Sequence, residues 1–443
     1  MSSIRTTDDQ HNLIVDDPKI INAWCMYDWA NSAYSLIITT TFFPIYYSKV
    51  AEQPDGSDLV NVFGWVLSSK VLFSWMLSFA FGLMALLSPI LSGIADSTGR
   101  KKLFMGLFCL IGSMACVSLV GFTSDTFQWG VLAFVLATMG YTGSIVFYNS
   151  FLPEIASPDQ MDTVSAKGFA RGYVGSLILQ VVCLVPVLMP EMFGITAGLA
   201  LRLSFLSVGL WWGLWSLIPL FGLPPDRKPA IQKQDQHWLL SGFRELGKVW
   251  QQAKTERPLF RFLISFLFYN MGVQTIMYLA TLFGDQELHL ASHKLIITII
   301  LLQVVAIFGA RIFAAISARR GNILTLQIII CIWLVVCAWA YFVIDEYGFY
   351  GVASLVGLVM GGVQSLSRST YAKLLPPTED HASFFSFYDV VEKVSIVGGT
   401  FVFGAVLDWT GSMRSSILFL ALFFVIGGLL LQRVKAVTKT PTN

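Results

Sequence analysis

Two stretches, Ser92–Lys102 (SGIADSTGRKK) and Ala314–Asn322 (AAISARRGN), decide the fold. Each follows an apolar run of membrane-crossing length, and Ser92 to Gly99 matches Ala314 to Gly321 in spacing. A longer echo pairs Tyr148, Leu152, Pro153 and Gly175 with Tyr371, Leu375, Pro376 and Gly398 at one constant offset. A third pairs Tyr27-Asp28-Trp29-Ala30 with Tyr269-Asn270-Met271-Gly272. Chance in apolar sequence explains any one echo, but three in the same order describe a duplicated unit.

The composition names the solvent. Of the 443 residues, 55% are hydrophobic and 13% carry charge. A soluble chain carries charge on about a quarter of its residues. With a mean hydropathy of +0.67, this chain belongs in a bilayer. A net charge of +2, spread over short clusters, offers no nucleic-acid surface.

Crossing a bilayer takes about 20 apolar residues per helix. Candidate spans fall at 21–48, 71–95, 102–121, 128–150, 168–188, 199–222, 260–283, 294–316, 323–344, 348–371, 383–407 and 413–433, twelve in all. Each echo relates a span to the one six spans later, so the chain reads as two like-oriented six-helix bundles, an all-α membrane fold. The expected division is 1–222 for the first bundle, 223–258 for a linker and 259–443 for the second. Within the linker, Leu239, Phe243, Leu246 and Trp250 recur at helical spacing, as in an amphipathic helix lying on a membrane surface. With both termini inside, Arg100-Lys101-Lys102, Lys167, Arg171, Arg319-Arg320 and Lys373 all fall on the inner side. Only Lys49, Lys70, Lys294 and Arg414 fall outside, which is the charge bias of a multi-pass protein of a cell (inner) membrane with cytoplasmic termini.

Charges inside spans mark the candidate site, because an ionised side chain at a helix centre costs about 3 kcal/mol on insertion scales. In the first span Asp28, Asn31, Ser32 and Ser35 share one face, flanked by Tyr27 and Tyr34. This reads as the lining of a wet path, with a helix-start anchor as the alternative for Asp28. In the eleventh span Asp389 and Lys393 are i, i+4 neighbours, with Glu392 between them and Tyr388 one turn before it. A structural ion pair and a proton-sensitive switch are both open for this group. Arg368 suits an anionic solute group through its planar fork, or an ion pair with Glu154 or Asp389. Arg171, Tyr148, Asn149, Tyr269, Asn270 and Gln364 complete the candidate pathway.

Enzymatic signatures are missing: there is no HExxH, GxSxG or GxxxxGK[ST]. The six cysteines show no metal spacing, and the five histidines fall in expected loops or span edges, where they read as solvated. No cofactor or metal is expected.

The duplicated six-helix plan resembles the major facilitator superfamily, and SGIADSTGRKK resembles its signature loop between spans two and three. Asp96, Gly99, Arg100 and Lys101 match that loop, while Ser92 stands where a glycine is usual and Ser97 where an arginine is common. The resemblance implies a gating role for Asp96, Gly99, Arg100 and Lys101, with Glu154 as a further gating candidate, around a midplane cavity between the bundles. YDWANSAY (Tyr27–Tyr34) resembles the opening of the vacuole-effluxer-like family within the superfamily. Three further stretches carry the same likeness: FYNSFLPEIASPDQMDTVSAKGFARGYVGS (Phe147–Ser176), GGVQSLSRSTYAKLLP (Gly361–Pro376) and FFSFYDVVEKVSIVGG (Phe384–Gly398). Fungal members of that family release amino acids from the vacuole. The resemblance implies a secondary transporter of a small polar solute such as an amino acid, a symporter or antiporter working by alternating access, with a proton as the candidate coupling ion. It also implies a monomer whose partners are the bilayer and a small-molecule substrate. One departure is Asn270, where the family often has aspartate, so a proton-carrying role at that position does not transfer. A non-transporting membrane sensor or partner-binding protein on the same fold is the alternative.

Overall fold

Bilayer hydrocarbon gives backbone amides no water to bond, so each spanning segment closes its own hydrogen bonds, which a helix does. The computed structural model describes residues 15–52, 59–226 and 238–434. It opens with α1 (Pro18–Ala33), a π-helical segment (Tyr34–Phe42) and α2 (Phe43–Ala51) in continuous winding. A hairpin of β1 (Leu59–Val62) and β2 (Trp65–Ser68) turns on Phe63 and Gly64 at positive φ, and the chain enters α3 (Ser69–Thr98). Then come α4 (Lys101–Ser118), α5 (Phe127–Ser150), the short α6 (Leu152–Ile155), α7 (Met161–Leu188) and α8 (Ala197–Gly222). After α9 (Trp238–Thr255) follow α10 (Arg257–Gln286), α11 (Ser292–Arg320) and α12 (Asn322–Phe342). The last three are α13 (Glu346–Lys373), α14 (His381–Thr410) and α15 (Met413–Leu431).

Among the described residues, eleven helices are long and apolar enough to cross a membrane. The other expected span, 21–48, is helical throughout, but its register changes in the π segment and α1 alone has only 16 residues. The cause is local. Five consecutive β-branched residues, Ile37 to Thr41, crowd the helix, and Pro44 removes an amide just beyond. The hydroxyls of Thr40 and Thr41 donate to the carbonyls of Ser35 and Leu36, five residues back, at 2.8 and 2.7 Å, occupying the widened turns. The fifth span begins at Met161, well before the expected 168, because its first two turns are polar and do not read as membrane.

The described chain forms two compact units. One joins residues up to Ile21 with Ser150–Ala170 and the residues from Phe243 onward; the other holds Asn22–Asn149 and the chain from Arg171 to Gly242. In the first, α11 lies along α13 through small residues. Gly357 and Gly361, four apart on α13, leave no room for a Cβ beside the carbonyls of Leu302 and Ala306, at 2.5 and 2.3 Å. In the second, α4 packs on α8, and Gly140 of α5 approaches the backbone of Gly112.

The repeat survives as packing within each unit. A Cβ on Gly175 would lie 2.8 Å from the Trp29 carbonyl, and one on Gly398 would lie 2.8 Å from the Met271 methyl. Gly175 and Gly398 are repeat partners, and so are Trp29 and Met271. Within the linker, Trp250 of α9 stacks on Phe387 at 5.6 Å, with the Lys254 ammonium 4.6 Å from its ring. The side chains of Leu239, Phe243 and Leu246 lie outside those described.

These contacts predict a graded response to added methyl groups. Gly309→Ala would place its Cβ 2.0 Å from the Leu358 carbonyl and should cost about 1–3 kcal/mol. Gly404→Ala, with nothing within 4 Å, should be neutral or stabilising. Thermal unfolding of the purified variants in one detergent reads the difference; equal melting temperatures would refute the close helix approach.

Candidate functional site

Asp28 sits on α1 with only 6% of its surface exposed. Its Oδ2 accepts the Tyr148 hydroxyl of α5 at 2.7 Å. The Tyr148 ring stacks on Trp24 at 4.5 Å and tilts against Tyr27 at 4.9 Å, while Trp24 Nε1 donates to the Tyr148 carbonyl at 3.0 Å. Two aromatic side chains, Trp24 and Tyr27, thus hold one phenol against one carboxylate. A turn further on, Asn31 is buried and its Nδ2 has no hydrogen-bond partner among the described residues. Its Oδ1 lies 3.5 Å from the Ser32 hydroxyl, and Ser32 packs beneath Gly172. Tyr34 leaves this face: its hydroxyl pairs with Thr138 at 2.8 Å and its ring meets Tyr141 and Trp212 inside the unit. Arg171 binds the start of α1 through the Asn22 carbonyl at 3.1 Å and the Asn22 side chain at 2.9 Å. Asn149 is buried near the end of α5. Asp28, Tyr148, Asn31 and Ser32 therefore belong together, and Tyr34 and Arg171 do separate work in packing and at the helix start.

In the other unit, α14 carries the second constellation. Lys393 donates to Asp389 Oδ1 at 2.6 Å, and Glu392 Oε1 accepts Gln274 Nε2 of α10 at 2.8 Å. Asp389 is 3% exposed, and its second oxygen has no hydrogen-bond partner among the described residues. Tyr388 stacks on Phe266 at 4.5 Å and lies 5.0 Å from Tyr371. Tyr269 shares a hydrogen bond with the Ser367 hydroxyl at 2.7 Å. Asn270 is buried with its Nδ2 unpartnered among the described residues, and Gln364 lies 3.9 Å from the Met277 sulfur.

Arg368 has a different setting. Its Nε donates to Ser165 Oγ at 2.9 Å, its Nη2 donates to the Ser165 carbonyl at 3.0 Å, and its guanidinium lies 4.1 Å over the Phe169 ring. Ser165 and Phe169 open α7, and their segment, Ser150–Ala170, is packed into this same unit. Two more polar clusters fasten that segment. Asp162 accepts Ser317 at 2.9 Å, Asn322 at 2.7 Å and Lys373 at 2.7 Å, drawing on the ends of α11, α12 and α13. Glu154 lies 3.0 Å from His381 Nδ1 at the start of α14. The expectation of a solvated His381 is thereby corrected: the ring is half-buried and paired with Glu154, because α14 begins against α6.

The signature loop after α3 closes as its glycine requires. Gly99 adopts φ +66° and Arg100 N donates back to the Ala95 carbonyl at 2.9 Å, which ends the helix and turns Arg100 and Lys101 outward from it. Asp96 is half-buried on the last turn of α3. In the second half, the matching loop supplies Ser317 and Asn322 to Asp162. Sequence reading missed Asp162, Ser317, Asn322 and Gln274. The echo Ala314–Asn322 was the available signal for two of them, and a lone amide in an apolar span was the signal for Gln274.

A family model described as "Vacuole effluxer Atg22 like" matches residues 16–441. The uncharacterized MFS-type transporter YxiO of Bacillus subtilis is 33% identical, over 95% of this chain and 96% of its own. Autophagy-related protein 22 of Gibberella zeae is 24% identical, over 90% of this chain and 76% of its own. Among solved structures, the proton:xylose symporter XylE, a major facilitator superfamily protein, aligns with a TM-score of 0.67 at 14% identity, covering 94% of this chain and 96% of that one. The human organic anion transporter MFSD10 aligns at 0.65 and 13% identity, covering 94% and 100%. At such identities the likeness is one of fold.

The Asp389–Lys393 pair predicts a coupled stability effect. Lys393→Met alone leaves a buried carboxylate without its cation and should cost about 3–5 kcal/mol. Adding Asp389→Asn to it should recover a large part of that loss. Thermal unfolding of both single variants and the double variant measures the coupling; purely additive losses would mean the pair is not a unit.

Proposed function

Given that this chain belongs to the vacuole effluxer Atg22-like family and is an MFS-type multi-pass membrane transporter, we propose that it moves a small polar solute, an amino acid or related metabolite, by alternating access coupled to protons. The observation that carries the reading is the pair of buried carboxylate sites, Asp28 with Tyr148 and Asp389 with Lys393 and Glu392. Charge is retained in spanning helices against a cost of about 3 kcal/mol per residue, as expected where a helix lines an ion or solute path. Asp28, Asn31 and Ser32 supply hydrogen-bonding groups on one unit; Asn270, Gln364, Asp389, Glu392 and Lys393 supply them on the other. Asp389 and Glu392 are the candidate proton carriers. Asn270 cannot carry a proton, so coupling rests on α14 and Asp28.

The clusters that hold Ser150–Ala170, namely Glu154 with His381, Asp162 with Lys373, and Arg368 with Ser165, serve as a gate, together with the Asp96–Lys101 loop. Arg368 acts as a fastener of α7 and not as the first receptor of a solute anion. The excess of arginine and lysine on one side of the chain supports a cell membrane with both termini in the cytoplasm. The family resemblance supports amino acids as cargo.

The test is flux in proteoliposomes with an imposed pH gradient and a panel of labelled amino acids. Gradient-dependent flux of at least one amino acid is expected, and Asp389→Asn or Asp28→Asn should abolish the dependence on the gradient. Flux that ignores the gradient in the wild type would remove proton coupling. No flux of any amino acid would remove the cargo assignment.

A further inference from the structure

At the basic end of the α4–α8 pair lies an open cleft of about 460 Å³. Gly106, Leu107, Leu110 and Leu220 line its apolar length, and Lys102 and Asp226 stand at one end. From Lys102 to Leu110 the cleft follows α4 for about 12 Å at the helical rise per residue. Leu107 is 46% and Leu110 59% exposed on a helix that crosses the membrane, so acyl chains are their surroundings. The surface is concave there because Gly106 has no side chain; an added Cβ would lie 3.3 Å from a Leu220 methyl.

The mouth of the cleft is cationic. Arg100, Lys101 and Lys102 follow one another into the start of α4, and among the described residues that line the cleft Asp226 is the carboxylate beside Lys102. That carboxylate is already committed to the helix start, accepting the amides of Lys102 and Leu103 at 2.8 and 3.2 Å. The Lys102 ammonium donates to the Leu223 carbonyl at 2.9 Å. An ammonium has three donors, and among the described residues this is the one hydrogen bond it makes, at the lip of an apolar groove. An apolar trough open to lipid and ending in cations has the shape and charge of one ligand class.

We propose that this cleft binds one anionic phospholipid of the bilayer, with an acyl chain over Gly106 and the phosphate at Lys102. The ligand would also contact the Gly99–Lys101 loop, tying that loop to the membrane surface.

Native mass spectrometry of the purified full chain, titrated with phosphatidylglycerol or phosphatidylcholine, tests this. The wild type should retain one more phosphatidylglycerol than phosphatidylcholine. Lys102→Gln should weaken phosphatidylglycerol binding about fivefold, the effect of about 1 kcal/mol per basic residue near an anionic surface, and leave phosphatidylcholine unchanged. Gly106→Leu fills the trough and should remove the extra bound phosphatidylglycerol. Leucine favours a helix over glycine, and its Cβ meets only the end of the Leu220 side chain, so an unchanged melting temperature in detergent would confirm that the variant folds. Equal retention of the two lipids by the wild type would overturn the proposal. So would undiminished phosphatidylglycerol binding by Gly106→Leu, or displacement of the lipid by inorganic phosphate alone, which would mark a free-anion site.

Discussion

A carboxylate inside a bilayer must be answered by a donor from its own chain, and much of this structure follows from that. Leaving such a group charged in a span costs about 3 kcal/mol on insertion scales, while a hydrogen bond to a charged partner returns about 1.5–3 kcal/mol. The two nearly cancel, so a buried charge persists only where the donor is already held in place. Tyr148 is held for Asp28 by stacking on Trp24 and by the Trp24 indole bond to its carbonyl. Lys393 is held for Asp389 by the pitch of one helix. Asp162 is held by three helix ends at once.

These partners can meet only because the helices come close. Gly357 and Gly361 bring α13 onto α11, and Gly175 and Gly398 do the corresponding work in the two units. With little hydrophobic force between helices in lipid, contact between backbones supplies the attraction, and a missing Cβ is what permits it. The polar faces then turn away from lipid because the small-residue faces set each helix's rotation. The site is in this sense a by-product of where the glycines are.

The same segments that fix the site also offer it ways to change. The π segment of the first span stores a register different from the α-helices on either side, a feature common at functional positions. The helix α7 belongs to one compact unit up to Ala170 and to the other from Arg171. Its first turns are held by neutral hydroxyl and backbone bonds to Arg368 and by the Asp162–Lys373 ion pair, not by apolar packing alone. Such contacts have direction and can be broken one at a time.

Sequence alone determined the membrane solvent and the approximate place of most spans, though not where the fifth begins, because hydrophobic length is a property of a chain read in one dimension. It also determined the Asp389–Lys393 pair, since i, i+4 neighbours meet on any helix whatever surrounds them. Tertiary structure alone decided that Tyr148 answers Asp28 across 120 residues, that Arg368 grips Ser165 and Phe169, and that His381 sits half-buried beside Glu154. Tyr34, which flanks the polar stripe, turned into the packing, its hydroxyl on Thr138 and its ring against Tyr141 and Trp212. Those outcomes depend on helix rotation and on which ends converge, and both are set by contacts between residues far apart in the chain.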